Sequence, residues 1–143
     1  MIEQENTAVS YSYIHKIQYY ETDQMGIVHH SNYIRWFEEA RTALMDDAGY
    51  AYARLEHEGI VIPVLSVECE YKKMLRFGDT ARIEVEIAKF NGIKIVMNYR
   101  VYLESTGELC TTGQTSHCFL DSDHKPVSMK KVNREFFDKM NAI

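Results

Sequence analysis

Tyr33, Trp36, Phe37, Ala40, Leu44 and Ala48 recur at steps of three and four residues, and Gly49 follows them. That period puts their side chains on one stripe of a helix over about residues 31–48, ending where a glycine favours a stop. It is the longest helical pattern in the chain. An apolar stripe of this kind must be covered, and a sheet with one apolar face is the natural cover when the flanking sequence alternates.

The flanking sequence does alternate. Tyr11, Tyr13, His15, Ile17 and Tyr19 oppose Ser12, Lys16, Gln18 and Tyr20, which predicts a strand ending in the polar turn 21–26. Beyond Pro63, Leu65, Val67, Cys69 and Tyr71 oppose Ser66, Glu68, Glu70 and Lys72, the pattern of a half-buried strand. Ile83, Val85 and Ile87 then alternate with Arg82, Glu84 and Glu86. Asn91-Gly92 predicts a type I′ hairpin leading into Ile95, Met97, Tyr99, Val101 and Leu103. A last strand is expected over 109–120, a short helix over 51–58 closing at Gly59, and a terminal helix over 133–141. The expected fold is α+β, a five-stranded antiparallel sheet around one long helix, with the last four strands as a sequential meander. Arg35 and Glu39 are spaced to pair on the outer face of that helix. An open sheet leaves edges that self-association satisfies, so a homodimer or homotetramer with subunits mixed at the site is expected.

Length and composition narrow the function. The 143 residues fit one domain, 1–143, with residues 1–10 as a short mobile tail. No apolar run approaches the ~18 residues of a membrane span, so no stable membrane insertion is expected. The formal net charge of -5 argues against a nucleic-acid partner. Cys69, Cys110 and Cys118 form no Cys-x-x-Cys pair, which fits a reducing cytoplasm and neither a disulfide framework nor a zinc knuckle. Two basic clusters stand out against the acidic background, Lys72, Lys73 and Arg76, and Lys125, Lys130, Lys131 and Arg134. Either suits a phosphorylated small ligand or a solvated surface.

Chemistry concentrates where the period changes, in residues 19–42. Asp23 stands seven residues before His30, and Ser31 or Asn32 is suited to cap the helix. The first backbone N–H groups of that helix lack intrahelical partners and can receive an oxyanion. A general base contributes about 10² to 10⁴ in rate and one oxyanion donor about 2.7 to 4 kcal/mol, enough for an activated acyl group without a metal or cofactor. Plainer roles exist for each residue. Asp23 suits a turn that bonds its own backbone, Tyr33, Trp36 and Phe37 suit a core, and neighbouring His117 and Cys118 face opposite sides of a strand.

The segment Tyr-x-Glu-Thr-Asp-Gln-Met-Gly-Ile-Val-His-His-Ser-Asn-Tyr-Ile-Arg-Trp-Phe-Glu-Glu-Ala-Arg-Thr, residues 19–42, resembles the opening motif of hotdog-fold thioesterases. It is similar to the 4-hydroxybenzoyl-CoA thioesterase family and its Tol-Pal-associated acyl-CoA branch. Residues 70–73 and 77–79 are similar to the same family. The resemblance implies a hotdog fold and Asp23 as catalytic carboxylate, either general base on water or nucleophile through a mixed anhydride. It implies that the His30 N–H polarises the thioester carbonyl and that Tyr19 lines the same pocket. Position 29 departs from the pattern, since an aromatic is common there and this chain has His29, which bears on the pocket mouth. The implied partner is acyl-CoA, with His29, Tyr33, Lys72, Lys73 and Lys125 as candidate contacts. The expected activity is hydrolysis of an acyl-CoA to free acid and CoA. An acyl-thioester hydratase or dehydratase and a non-catalytic acyl-CoA-binding protein are the alternatives.

Overall fold

A computed structural model describes residues 11–143; the expected tail 1–10 lies outside the described residues. Strand β1 (Tyr11–Lys16) leads into a 3-10 turn (Tyr19–Glu21) and helix α1 (Ser31–Asp47). A short helix α2 (Tyr52–His57) precedes β2 (Val64–Tyr71), β3 (Thr80–Phe90), β4 (Lys94–Leu103) and β5 (Glu108–Cys118). Helices α3 (Met129–Val132) and α4 (Arg134–Asn141) close the chain. Asn133 caps α4 by accepting from the Phe136 N–H at 3.0 Å.

All five strands join one antiparallel sheet in the order β1-β3-β4-β5-β2. Only β3, β4 and β5 form the sequential meander; β2 crosses to the far edge and pairs with β5. The expectation that four strands run in sequence is thereby corrected. The eight residues between β2 and β3 do not form a tight hairpin, so nothing local ties those strands together.

The helical stripe meets the sheet as its spacing requires. Tyr33, Trp36, Phe37, Ala40 and Leu44 are buried, and Phe37 stacks on Tyr99 of β4 with ring centroids 4.2 Å apart. Opposite that ring β5 carries Gly113, where an added Cβ would lie 2.5 Å from two Phe37 carbons. Burying such rings supplies roughly 1.5 to 3 kcal/mol each, far more than any surface pair on the helix. Arg35 and Glu39 make no ion pair; Glu39 instead accepts from the Tyr13 hydroxyl at 2.6 Å. That bond, with burial, raises the Tyr13 pKa to about 12.

Two other local expectations change. Gly92 has φ +91°, but Asn91 has no positive φ, so the β3–β4 turn is not type I′. Asn91 instead accepts the Ile93 and Lys94 N–H groups on its side-chain oxygen, each at 2.8 Å. Strand β2 is not half-buried in the single chain, since Val64, Leu65, Val67 and Tyr71 are all exposed on this sheet edge. No helix among the described residues is long and apolar enough to cross a membrane.

Candidate active site

The loop before α1 is built around a buried carboxylate. Glu21 is 4% exposed and accepts four contacts: the Gln18 N–H at 2.7 Å, the Trp36 indole N–H at 2.9 Å, and His15 Nε2 at 2.9 and 3.0 Å from its two oxygens. Burial pushes its pKa up, yet the hydrogen bonds from Gln18, His15 and Trp36 outweigh burial and hold it below the usual carboxylate range. Its backbone carbonyl accepts the His29 N–H and the Asn32 amide, both at 2.8 Å. One residue thus fixes β1, the loop and the start of α1. Sequence reasoning missed Glu21, although a Trp36 destined for the core needs an acceptor for its N–H.

Asp23 sits at the head of the next tight loop. Its N–H donates to Ile27 O and its C=O accepts from the Gly26 N–H, both at 2.9 Å. Gly26 turns the chain at φ +77°, a conformation that costs a glycine little. The Asp23 side chain accepts the Met25 N–H at 2.8 Å, so the plain turn role is present. That bond occupies only Oδ1. Backbone pairing of Ile27 with Arg76, and of the Val28 N–H with Leu75 O at 2.9 Å, lays this loop beside residues 72–76.

The helix start differs in detail from expectation. His30 is the cap residue, and neither Ser31 nor Asn32 caps with its side chain. His29 Nδ1 instead accepts from the Ser31 N–H at 3.2 Å and lies 2.8 Å from Ser31 Oγ. The Asn32 amide is drawn back to Glu21 and the His29 carbonyl. The Asn32 and Tyr33 N–H groups are taken by the His29 and His30 carbonyls at 3.0 and 3.3 Å. The His30 N–H has no acceptor among the described residues. An unpaired donor at the positive end of a seventeen-residue helix is the group an oxyanion needs.

These parts share one cleft of about 610 Å³. Asp23, His30, Tyr33, Lys72 and Lys73 all line it, with apolar walls from Met25, Ile27, Val28 and Met74. Tyr33 is buried against Trp36 and Tyr71, and burial raises its pKa to about 12, so the hydroxyl stays protonated. Tyr71, at the end of β2, was read only as a strand residue. Its hydroxyl points at the His30 carbonyl from 3.4 Å, tying the sheet edge to the helix start.

Other candidates lie elsewhere. Tyr19 is 76% exposed and packs edge-on against Phe77, outside the cleft lining. His29 stacks on His30 at 4.2 Å between ring centroids but does not line the cleft. Lys125 belongs to the loop after β5, where its N–H donates to Asp121 Oδ1 at 3.0 Å, and it takes no part in this cleft. The two cleft lysines are paired with surface acids, Lys72 with Glu70 and Lys73 with Glu108 at 3.4 Å. Exposed pairs of this kind are worth about 0 to 1 kcal/mol, so a phosphate group can displace them.

Comparison with known proteins shows the family and the fold. Residues 17–137 match the model of the Thioesterase-like superfamily. A Bacillus subtilis protein named "Putative acyl-CoA thioesterase YneP" is 41% identical over 118 residues, covering 82% of this chain and 85% of that protein. The crystal structure of a DHNA-CoA thioesterase from Staphylococcus aureus superposes with a TM-score of 0.88 at 30% identity, covering 92% of this chain and 88% of that one. A hypothetical protein from Aquifex aeolicus gives a TM-score of 0.84 at 31% identity, over 91% and 98% of the two chains.

Proposed function

Because this chain belongs to the Thioesterase-like superfamily and has its hotdog fold, we propose that it hydrolyses acyl-CoA thioesters to free acid and CoA. The observation that carries this reading is that Asp23 and His30, whose N–H is unpaired among the described residues, line one cleft. The thioester carbonyl oxygen sits against the His30 N–H, where the negative charge of addition is received. Asp23 either takes the proton of the attacking water or attacks the carbonyl itself, giving an anhydride that water then opens. The C–S bond breaks in either case, and the thiolate leaves to be protonated as CoA. Lys72 and Lys73, with Arg76 beside them, supply positive charge for the CoA phosphates at the cleft mouth. The motif over 19–42 supports a place beside the 4-hydroxybenzoyl-CoA and Tol-Pal-associated branches. Cys69, Cys110 and Cys118 are unpaired, which supports a reducing, cytoplasmic setting.

The working unit is a homodimer or larger homo-oligomer. Support comes from β2, a sheet edge with exposed Val64, Leu65, Val67 and Tyr71 and a backbone open to pairing. Tyr71 lies on that edge and in the cleft lining, so association there brings a second subunit to the site.

The test is thiol release from short, long and aryl acyl-CoAs by wild type and Asp23→Asn. Loss of about 10² to 10⁴ in kcat/KM in a folded variant is expected. Near-wild-type hydrolysis by Asp23→Asn across the panel overturns the role of Asp23. Loss of a conjugated enoyl bond without thiol release would instead identify a hydratase.

A further inference from the structure

A second cavity, of about 310 Å³, opens between the C-terminal half of α1, the loop before β2 and the floor of β4 and β5. It shares no lining residue with the Asp23 cleft. Its walls are mainly apolar, with Met45, Ile95, Met97 and Met140 among them, and two nitrogen-bearing side chains enter it, Arg41 and His117. We propose that this cavity binds the carboxylate end of a molecule with an apolar chain, Arg41 and His117 being the groups that receive it.

Both side chains have an unspent buried nitrogen. Arg41 Nη1 and His117 Nδ1 are buried and have no hydrogen-bond partner among the described residues. His117 is 1% exposed, so its orphaned nitrogen is not hydrated from the surface. A buried guanidinium nitrogen without an acceptor is costly, and a carboxylate is the group that fits it best. The nearest acid is Glu38, whose Oε1 is 3.7 Å from Arg41 Nη2; its side chain is 72% exposed and held in solvent, leaving Nη1 unserved.

The far side of His117 is fixed by a hydrogen-bond chain. Thr115 Oγ1 lies 2.6 Å from the Tyr99 hydroxyl and 2.8 Å from His117 Nε2. With Tyr99 donating to Thr115 and Thr115 donating to Nε2, the ring proton resides on Nδ1, which is then a donor without a partner among the described residues. Burial and the Arg41 charge lower the ring pKa to about 4, so it is neutral and does not compete with Arg41 for charge; the Pro63 carbonyl opposes that drop but makes no hydrogen bond to Nδ1. A carboxylate placed here meets the Arg41 guanidinium and the His117 ring in the cavity wall while its chain lies against the methionines. Size agrees, since small-ligand pockets begin near ~300 Å³. Two sources share this chemistry: a free carboxylic acid, and the distal carboxylate of a dicarboxylic acyl thioester.

The methionines make the site observable. Of the seven in the sequence, Met45, Met97 and Met140 line this cavity and Met25 and Met74 line the Asp23 cleft. The full chain, labelled with methyl-13C methionine, is titrated with octanoate, with octan-1-ol and, as Asp23→Asn, with octanedioyl-CoA. Octanoate is expected to shift the Met45, Met97 and Met140 methyls, leave Met25 and Met74 in place, and bind about tenfold or more tighter than octanol. Arg41→Met is expected to erase that preference. Shifts at the three methyls with octanedioyl-CoA but not octanoate assign the site to the distal end of an acyl group. The proposal falls if neither carboxylate moves those methyls, or if octanol binds wild type as tightly as octanoate. The wild-type comparison needs no variant to fold. Because it reads binding and not turnover, failure of the thioesterase reading leaves it standing, and the reverse also holds.

Discussion

The indole nitrogen of Trp36 donates to Glu21 Oε2 at 2.9 Å, joining the buried face of the central helix to the loop that ends two residues before Asp23. This bond places the loop that leads to Asp23 against the core. Glu21→Ala leaves the Trp36 and Gln18 N–H groups without an acceptor, at about 1 to 3 kcal/mol for each buried orphan. Urea unfolding at pH 7 should show a loss of about 2 to 4 kcal/mol, with a fall in activity because the loop is released. The pH dependence has a definite sign. The folded Glu21 pKa is lowered, so its contribution is present above the unfolded glutamate value and lost as pH falls through the folded one. Glu21→Ala should therefore be less sensitive to acid than wild type below about pH 4.3.

His117 gives a second acid dependence in a higher window. Its folded pKa is about 4 against an ordinary 6.5, so between those values the unfolded chain holds a proton that the folded chain does not. Stability should fall as pH drops from about 6.5 toward 4, by at most about 1.4 kcal/mol per pH unit from this residue. Unfolding free energies of wild type and His117→Gln at pH 6.5, 5.5 and 4.5 check this; parallel lines for the two proteins refute it.

Gly113 makes room for Phe37. A methyl at that position would sit 2.5 Å from the Phe37 ring and 3.1 Å from the Glu68 carbonyl, so helix and sheet cannot both stay where they are. Gly113→Ala is expected to cost about 1 to 3 kcal/mol, seen as a lowered Tm. Unchanged stability would mean that α1 rides further from the sheet.

Lys72 and Lys73 border the cleft without touching the reacting atoms in the proposed mechanism. Reversing both charges, Lys72→Glu with Lys73→Glu, should raise KM for acyl-CoA several-fold, at about 1 kcal/mol or less per exposed contact. The kcat should change little. An unchanged KM removes CoA phosphates from their role, whereas Lys125→Glu, in a loop outside this cleft, should leave KM as it is.

Much of this molecule was readable residue by residue. The stripe from Tyr33 to Leu44 set the α1 bounds to within a residue, because buried aromatic positions on a helix have one possible period. The same held for β3 to β5, whose alternation and short turns are local properties. At the site, Asp23, His30, Tyr33, Lys72 and Lys73 were all identifiable from the chain, and they line one cleft. Glu21 escaped because an acid beside Tyr20 and Thr22 looks solvated until its partners, His15 and Trp36, arrive from other elements. Tyr19 lies off the cleft lining for the converse reason: the alternation of β1 ends at Lys16, and the 3-10 turn then swings Tyr19 outward onto Phe77.

The sequence by itself determined the elements, their periods and the acid at the mouth of the helix, since each depends on neighbours within a few residues. Only the tertiary structure decided that β2 lies beside β5 and not β3, that the His30 N–H is left unpaired, and that Arg41 and His117 face a common cavity. Those outcomes are set by which distant groups compete for the same space and the same hydrogen bonds. No local pattern carries that information, because the competition exists only once the chain has closed.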